Sequence, residues 1–411
     1  MRESTSAVHY GWHIVWAGTL CVFASLGLGR FALGMLLPAM GASLQLSYAQ
    51  MGWVGTMNFV GYLVAVFFCG ALTARFGHRR LISLALLVIG LSTAAISRAT
   101  SLWLITLLYS LTGFCSGAAN VPMMALISSW FSSHQRGRAL GFVVIGSGFA
   151  ILLAGKVVPL LNASGPEGWR RSWAAISAVV LVVSLVCWAV LRNCPQEKGL
   201  HPYGQALSEG MVAPRLGSIS AGELAHLGAI YFLFGITYVV YVTFLVTTMI
   251  EEWGMSEAEA GSYWAWVGFL SLFSGPVFGS LSDRIGRQTT LSIVFSIQSA
   301  SYLLIAVHPP LVFLSLSIAC FGLVVWSIPS IMAALIGDYA GPEQVARVFG
   351  RITFIFALGQ IAGPAGAGYL AEQGGSFALP FLLAGGLALL AAVLSATLRR
   401  PANRPGHRAG R

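Results

Sequence analysis

Two cations stand where charge is costly. Arg30 lies about 18 residues into the first long apolar stretch, and Lys156 lies about as far into the fifth. A charge at bilayer depth marks a functional site by default, because the alternative is an uncompensated ion in hydrocarbon. All 13 acidic residues fall in connections or at the ends of apolar runs, and so do the eight His. Neither cation has a carboxylate at its own depth. Arginine offers a planar fork of donors that matches a carboxylate bidentately. A small anionic molecule would supply the missing counter-charge. Two plainer readings stand beside this one. Backbone carbonyls and water could satisfy Arg30 in a structural role. Lys156, three residues before Pro159, could snorkel to the surface on its flexible stem.

Other polar and aromatic residues lie inside apolar runs: Asn58, Asn120, Tyr238, Tyr241, Trp264, Trp326, Ser330 and Gln360. Asn120, Tyr238 and Gln360 are the strongest candidates to complete a substrate site with Arg30 and Lys156, and Trp326 joins them. Each could equally make a helix-packing hydrogen bond, and the aromatics could serve packing or the membrane interface. No catalytic constellation, nucleotide-binding loop or metal-ligand cluster is present, so neither enzyme activity nor a cofactor is expected. The six Cys are scattered without a CxxC pair, which indicates neither a zinc site nor a disulfide framework.

The elements that must hold these residues follow from composition. Of 411 residues, 57% are hydrophobic and only 9% charged. A soluble domain carries about 25% charged residues, so soluble enzymes, nucleic-acid binders and disordered chains are excluded. The surplus apolar surface must face lipid. Reading apolar runs between breaks gives twelve membrane spans, at about 12–40, 49–74, 80–97, 101–130, 138–161, 170–191, 224–250, 258–282, 288–307, 310–337, 345–371 and 376–398. The fold class is therefore all-α integral membrane, with twelve helices in two six-helix halves. The first run is too long for a signal peptide's apolar core of roughly 7–15 residues.

The net charge of +10 has a topological reading. Eighteen of the 23 Lys and Arg fall on one side of this map, Arg98, Arg170 and Arg171 on the other, and Arg30 and Lys156 within spans. Cationic loops stay in the cytoplasm, so both termini are expected there, in a multi-pass inner-membrane protein. The divisions are an N-terminal half (1–192), a cytoplasmic linker rich in Pro and Gly (193–223), a C-terminal half (224–398) and a basic tail (399–411).

The halves repeat each other. Gly70, Arg75 and Gly77 after span 2 match Gly279, Arg284 and Gly286 after span 8, all at an offset of 209. Arg138 and Gly141 at span 5 match Arg347 and Gly350 at span 11 with the same offset. Two separate matches at one offset imply a duplicated six-helix unit with a substrate site between the halves.

These loops resemble the signature of the major facilitator superfamily, and the resemblance covers about residues 12–398. Tyr10-Gly-Trp12 and the segment from Pro195 to Pro202 are similar to prokaryotic monocarboxylate and oxalate/formate carriers. Gly27 to Ala32, and Leu358-Gly359-Gln360 through Pro364, resemble the YbfB-like branch. The resemblance implies that the loop charges lock a cytoplasmic gate, with Asp283 opposite Arg136 or Arg138. The first copy has Ala74 where Asp is usual, so one gate pair is expected rather than two.

The function expected is secondary transport of a small organic anion, in particular a monocarboxylate, by alternating access. The expected partners are that anion, a coupled proton or counter-anion, and the bilayer, with no nucleic acid and a monomeric state. The alternatives are a drug-efflux carrier, which would want an intramembrane carboxylate, and a non-transporting membrane receptor.

Overall fold

The computed structural model describes residues 9–204, 219–307 and 310–398, with backbone alone at 133–134 and 340–347. The tail after residue 398 and residues 205–218 of the linker lie outside the described residues. The N-terminal half holds α1 (Gly11–Leu44), α2 (Tyr48–Phe76), α3 (His78–Ile96), α4 (Leu102–Trp130), α5 (Ser133–Asn162) and α6 (Gly168–Val190). The C-terminal half holds α7 (Ala221–Glu252), α8 (Glu257–Ile285), α9 (Arg287–Ile305), α10 (Leu311–Tyr339), α11 (Val348–Gly374) and α12 (Ala378–Ala396).

Eleven of the twelve are long and apolar enough to cross a bilayer. The twelfth, α9, carries Gln288, Thr289, Thr290, Ser292, Ser296, Gln298, Ser299 and Ser301. It turns much of this polarity inward. Ser299 donates to the Gly385 carbonyl of α12, and Ser301 and Ser317 of α10 each donate to the other's carbonyl at 2.8–2.9 Å. The map also expects a break between spans 10 and 11. Instead, helical backbone runs on from Ser327 to Gly374. The break falls earlier, at Val325 and Trp326. Pro329 follows, and a proline has no N–H for the carbonyl four residues back.

The turns after α2 and α8 are made at glycines. Gly77 (φ +75°) and Gly286 (φ +99°) adopt backbone angles that a side chain disfavours. The sequence repeat is a structural one too. In the first half α1 packs on α5, α2 on α4 and α3 on α6, and the same pairings recur as α7 on α11, α8 on α10 and α9 on α12.

The halves meet along two seams, α2 against α11 and α5 against α8. The chain enters at Gly11 and leaves at Ala396 on one face, the terminal face. Toward the opposite face the seams are closed backbone to backbone. A Cβ on Gly52 would sit 2.2 Å from the Pro364 carbonyl oxygen, and one on Gly268 would sit 2.4 Å from the Leu152 nitrogen. Carboxylates of the C-terminal half clasp the N-terminal half at this face. Glu372 accepts from the Ser47 hydroxyl (2.7 Å) and the Ala49 N–H (2.9 Å), and Glu257 accepts from Asn162 (2.9 Å). Toward the terminal face the glycines make no such approach: a Cβ on Gly70, Gly137, Gly275 or Gly350 would meet nothing within 4 Å, and α2 meets α11 there through the Phe67 and Phe354 rings, 5.5 Å between centroids. The opposite face is sealed, and the terminal face is the more loosely packed of the two.

Gly268→Leu should wedge α8 from α5 and open the sealed face. A cysteine placed at Thr243, now 6% exposed, should then react with an impermeant maleimide from that face. Unchanged labelling would show that the seam is not held by this close approach.

Candidate functional site

Arg30 is only 7% exposed. It sits in a π-helical stretch of α1, Phe23–Phe31, the kind of widened turn that recurs at functional sites. Neighbouring hydroxyls on α4 hold this stretch. Ser116 donates to the Ser25 carbonyl (2.7 Å) and Tyr109 to the Arg30 carbonyl (2.9 Å). Small residues let other helices close in: a Cβ on Gly27 would collide with Ala150 of α5, and one on Gly34 with the Val242 carbonyl of α7.

The guanidinium is held by dipoles and ring faces. Its Nε donates to Asn58 Oδ1 at 3.2 Å, and Asn58 Nδ2 donates in turn to the Tyr109 carbonyl at 3.0 Å. Its carbon lies 4.2 Å from the Tyr62 ring centroid and 4.6 Å from that of Phe59. Such cation–π contacts are worth about 2 kcal/mol or more when desolvated. Nη2 is buried and has no hydrogen-bond partner. Among the described residues no carboxylate forms an ion pair with Arg30.

Four other expected site residues gather around this cation. Asn120 of α4 donates to the Tyr62 hydroxyl at 3.1 Å, while its Oδ1 is buried without a partner. From the other half, the Tyr238 hydroxyl of α7 comes within electrostatic reach of the guanidinium and accepts a hydrogen bond from Gln360 of α11. Trp326, placed by the break in α10, packs on Tyr238 (6.1 Å between ring centroids) and on Phe31 (5.1 Å). Its indole N–H is buried and unpartnered. Both halves thus contribute to one polar-aromatic chamber, adjoined by a small cleft under Arg30, Gly55, Asn58 and Thr243.

Lys156 is elsewhere, and its placement corrects the expectation of a second cation in the chamber. It is exposed on the α5–α8 seam, where its ammonium donates to Ser262 at 3.1 Å. The long stem carries the charge out of the bundle, as the snorkelling reading has it. Tyr241 bonds to Ser317 inside the C-terminal half, and Ser330 is exposed. Tyr62, Phe59 and Tyr109 are additions to the site. Tyr62 lies one helical turn past Asn58, a same-face spacing legible in the sequence.

The gate residues stand apart from one another. Asp283 pairs with Arg287 (2.5 Å), which also reaches Asp338 (3.6 Å), all within the C-terminal half. Arg138 lies over the Trp12 ring of its own half at 5.6 Å, and Arg136, Arg75 and Arg284 are exposed. The expected pairing of Asp283 with Arg136 or Arg138 is therefore not made in this state, because α5 and α8 diverge toward the terminal face. The side chain of Arg347 lies outside the described residues.

Residues 22–396 match a family described as "Uncharacterised MFS-type transporter YbfB". The chain is 24% identical to the hexuronate transporter of Bacillus subtilis, covering 89% of each chain. It is 23% identical to a probable sulfoacetate transporter of Cupriavidus necator, covering 92% of this chain and 91% of the other. The fold resembles a bacterial homologue of the human lysosomal transporter Spinster, solved inward-facing and occupied. That comparison gives a TM-score of 0.75 at 15% identity, over 95% of this chain and 97% of the other.

Asn58→Leu should lower stability by about 1–3 kcal/mol, because it strips the buried Arg30 Nε of its acceptor. Thermal unfolding in detergent measures this. A melting temperature equal to wild type would mean that Asn58 does not hold the cation.

Proposed function

The chain belongs to the major facilitator superfamily, in the family described as YbfB-type transporters, and from that premise we propose that it carries a small organic anion, a monocarboxylate, by alternating access. It is a membrane transporter rather than an enzyme. The observation that carries the substrate class is Arg30: a buried guanidinium, ringed by amide and aromatic groups, with its Nη2 unpartnered and no paired carboxylate among the described residues. A substrate carboxylate would complete it with a charge-assisted fork. The relatives' described cargoes, a hexuronate and sulfoacetate, are acids, which supports the same reading.

The terminal face is the cytoplasmic face of an inner membrane in this reading, since the basic connections lie there. The cavity then opens inward, and an anion entering it meets Arg30 from one half and Tyr238 with Gln360 from the other. Neutralising the cation lowers the cost of closing the halves over it. Contacts made to both halves by one ligand are what a ligand needs to shift the equilibrium toward an occluded state.

Arg30→Gln should abolish uptake of organic acids in proteoliposomes. Arg30→Lys, which keeps the charge and loses the fork, should weaken it by about tenfold or more. Acid transport by Arg30→Gln at the wild-type rate would rule out the assignment.

A further inference from the structure

We infer that the carried acid is a hydroxylated monocarboxylate, whose hydroxyls are read by Asn120 and Trp326 while Arg30 takes the single carboxylate. This rests on the anion reading above and narrows it. Three of the residues gathered at the chamber each carry a buried polar atom without a partner, and these atoms differ in kind. Arg30 Nη2 is a cationic donor, Trp326 Nε1 is a neutral donor, and Asn120 Oδ1 is a neutral acceptor. A plain aliphatic acid would satisfy the first and leave the other two unmet against its hydrocarbon tail. Each buried group left unmet costs stability in the complex. A hydroxyl is both donor and acceptor, so one or two of them on the same molecule can serve both groups.

The aromatic walls agree with such a ligand. Phe31, Tyr238 and Trp326 form one contiguous ring surface beside Arg30, suited to the apolar C–H faces that a polyhydroxy acid also presents. The charge count limits the ligand further. Lys156 is outside the chamber, so a second anionic group on the ligand would face no second cation from that source. A site built to hydrogen-bond a hydroxyl rejects the analogue that lacks it far more strongly than an apolar pocket rejects a changed methylene count.

The full-length protein in detergent, titrated with gluconate, hexanoate and glucarate while its thermal unfolding is followed, tests this. These share a six-carbon chain and differ in hydroxyls and in charge number. Gluconate should stabilise the protein, with hexanoate and glucarate each weaker by about tenfold or more. Trp326→Phe and Asn120→Leu, compared within each variant, should bring the gluconate and hexanoate affinities together. Arg30→Gln should remove the response to both. Equal binding of hexanoate and gluconate by wild type would overturn the hydroxyl reading and leave the anion reading standing. Glucarate binding as tightly as gluconate would overturn the single-charge limit. An absence of response to all three acids would overturn the inference together with the reading it rests on. A gluconate preference that survives both variants would show that Asn120 and Trp326 do not read the hydroxyls.

Discussion

A guanidinium kept inside a membrane bundle without a paired carboxylate constrains the rest of this structure. Arg30 can be tolerated only where dipoles and ring faces offset part of its lost hydration. Asn58, Tyr62, Phe59 and Tyr109 supply that environment from α2 and α4. The π-helical stretch that presents Arg30 leaves its carbonyls irregularly spaced, and the hydroxyls of Ser116 and Tyr109 fill those gaps. The small residues of α1 then let α5 and α7 come close enough to enclose the charge. Each of these features would be costly alone, and together they hold a cation available on one side.

The two halves divide the work around that cation. The N-terminal half holds and orients it. The C-terminal half contributes the neutral polar groups Tyr238, Gln360 and Trp326, which face it across the cavity. At the sealed face the relation changes character: backbone packs on backbone at glycines, and carboxylates of the C-terminal half grip neutral donors of the N-terminal half. None of the described cross-seam bonds at that face is an ion pair between the halves. A seam made of close packing and neutral-to-carboxylate bonds can separate without leaving two opposite charges stranded, which suits a surface that must part and rejoin in every cycle.

Much of this was legible in the chain because it depends on local composition. Long apolar runs, the sidedness of the basic residues and the 209-residue repeat describe a duplicated helical bundle without any knowledge of packing. Arg30 stood out because its residue type conflicts with its depth. What could not be read was direction around a helix axis. Arg30 and Lys156 look alike as buried cations in the sequence, yet one points into the bundle and the other out of it along a seam. Asp283 could be read as part of the repeated loop, but its partner Arg287, within the same half, could not. Tyr62 and Phe59 join the site through ring faces, an interaction that leaves no mark in a hydropathy pattern.

The polarity of α9 bears on how the protein is made. Its neighbours can each partition into lipid on their own composition, whereas α9 carries Gln298, Ser299 and Ser301 at buried positions and begins with Arg287. Polar side chains weaken the drive for a lone helix to enter the bilayer. The hydrogen bonds that offset Ser299 and Ser301 come from the Gly385 carbonyl on α12 and Ser317 on α10, which follow α9 in the chain. Helices made after α9 thus help to make it a stable membrane segment. A chain truncated before α12 would lack part of what keeps α9 in the membrane.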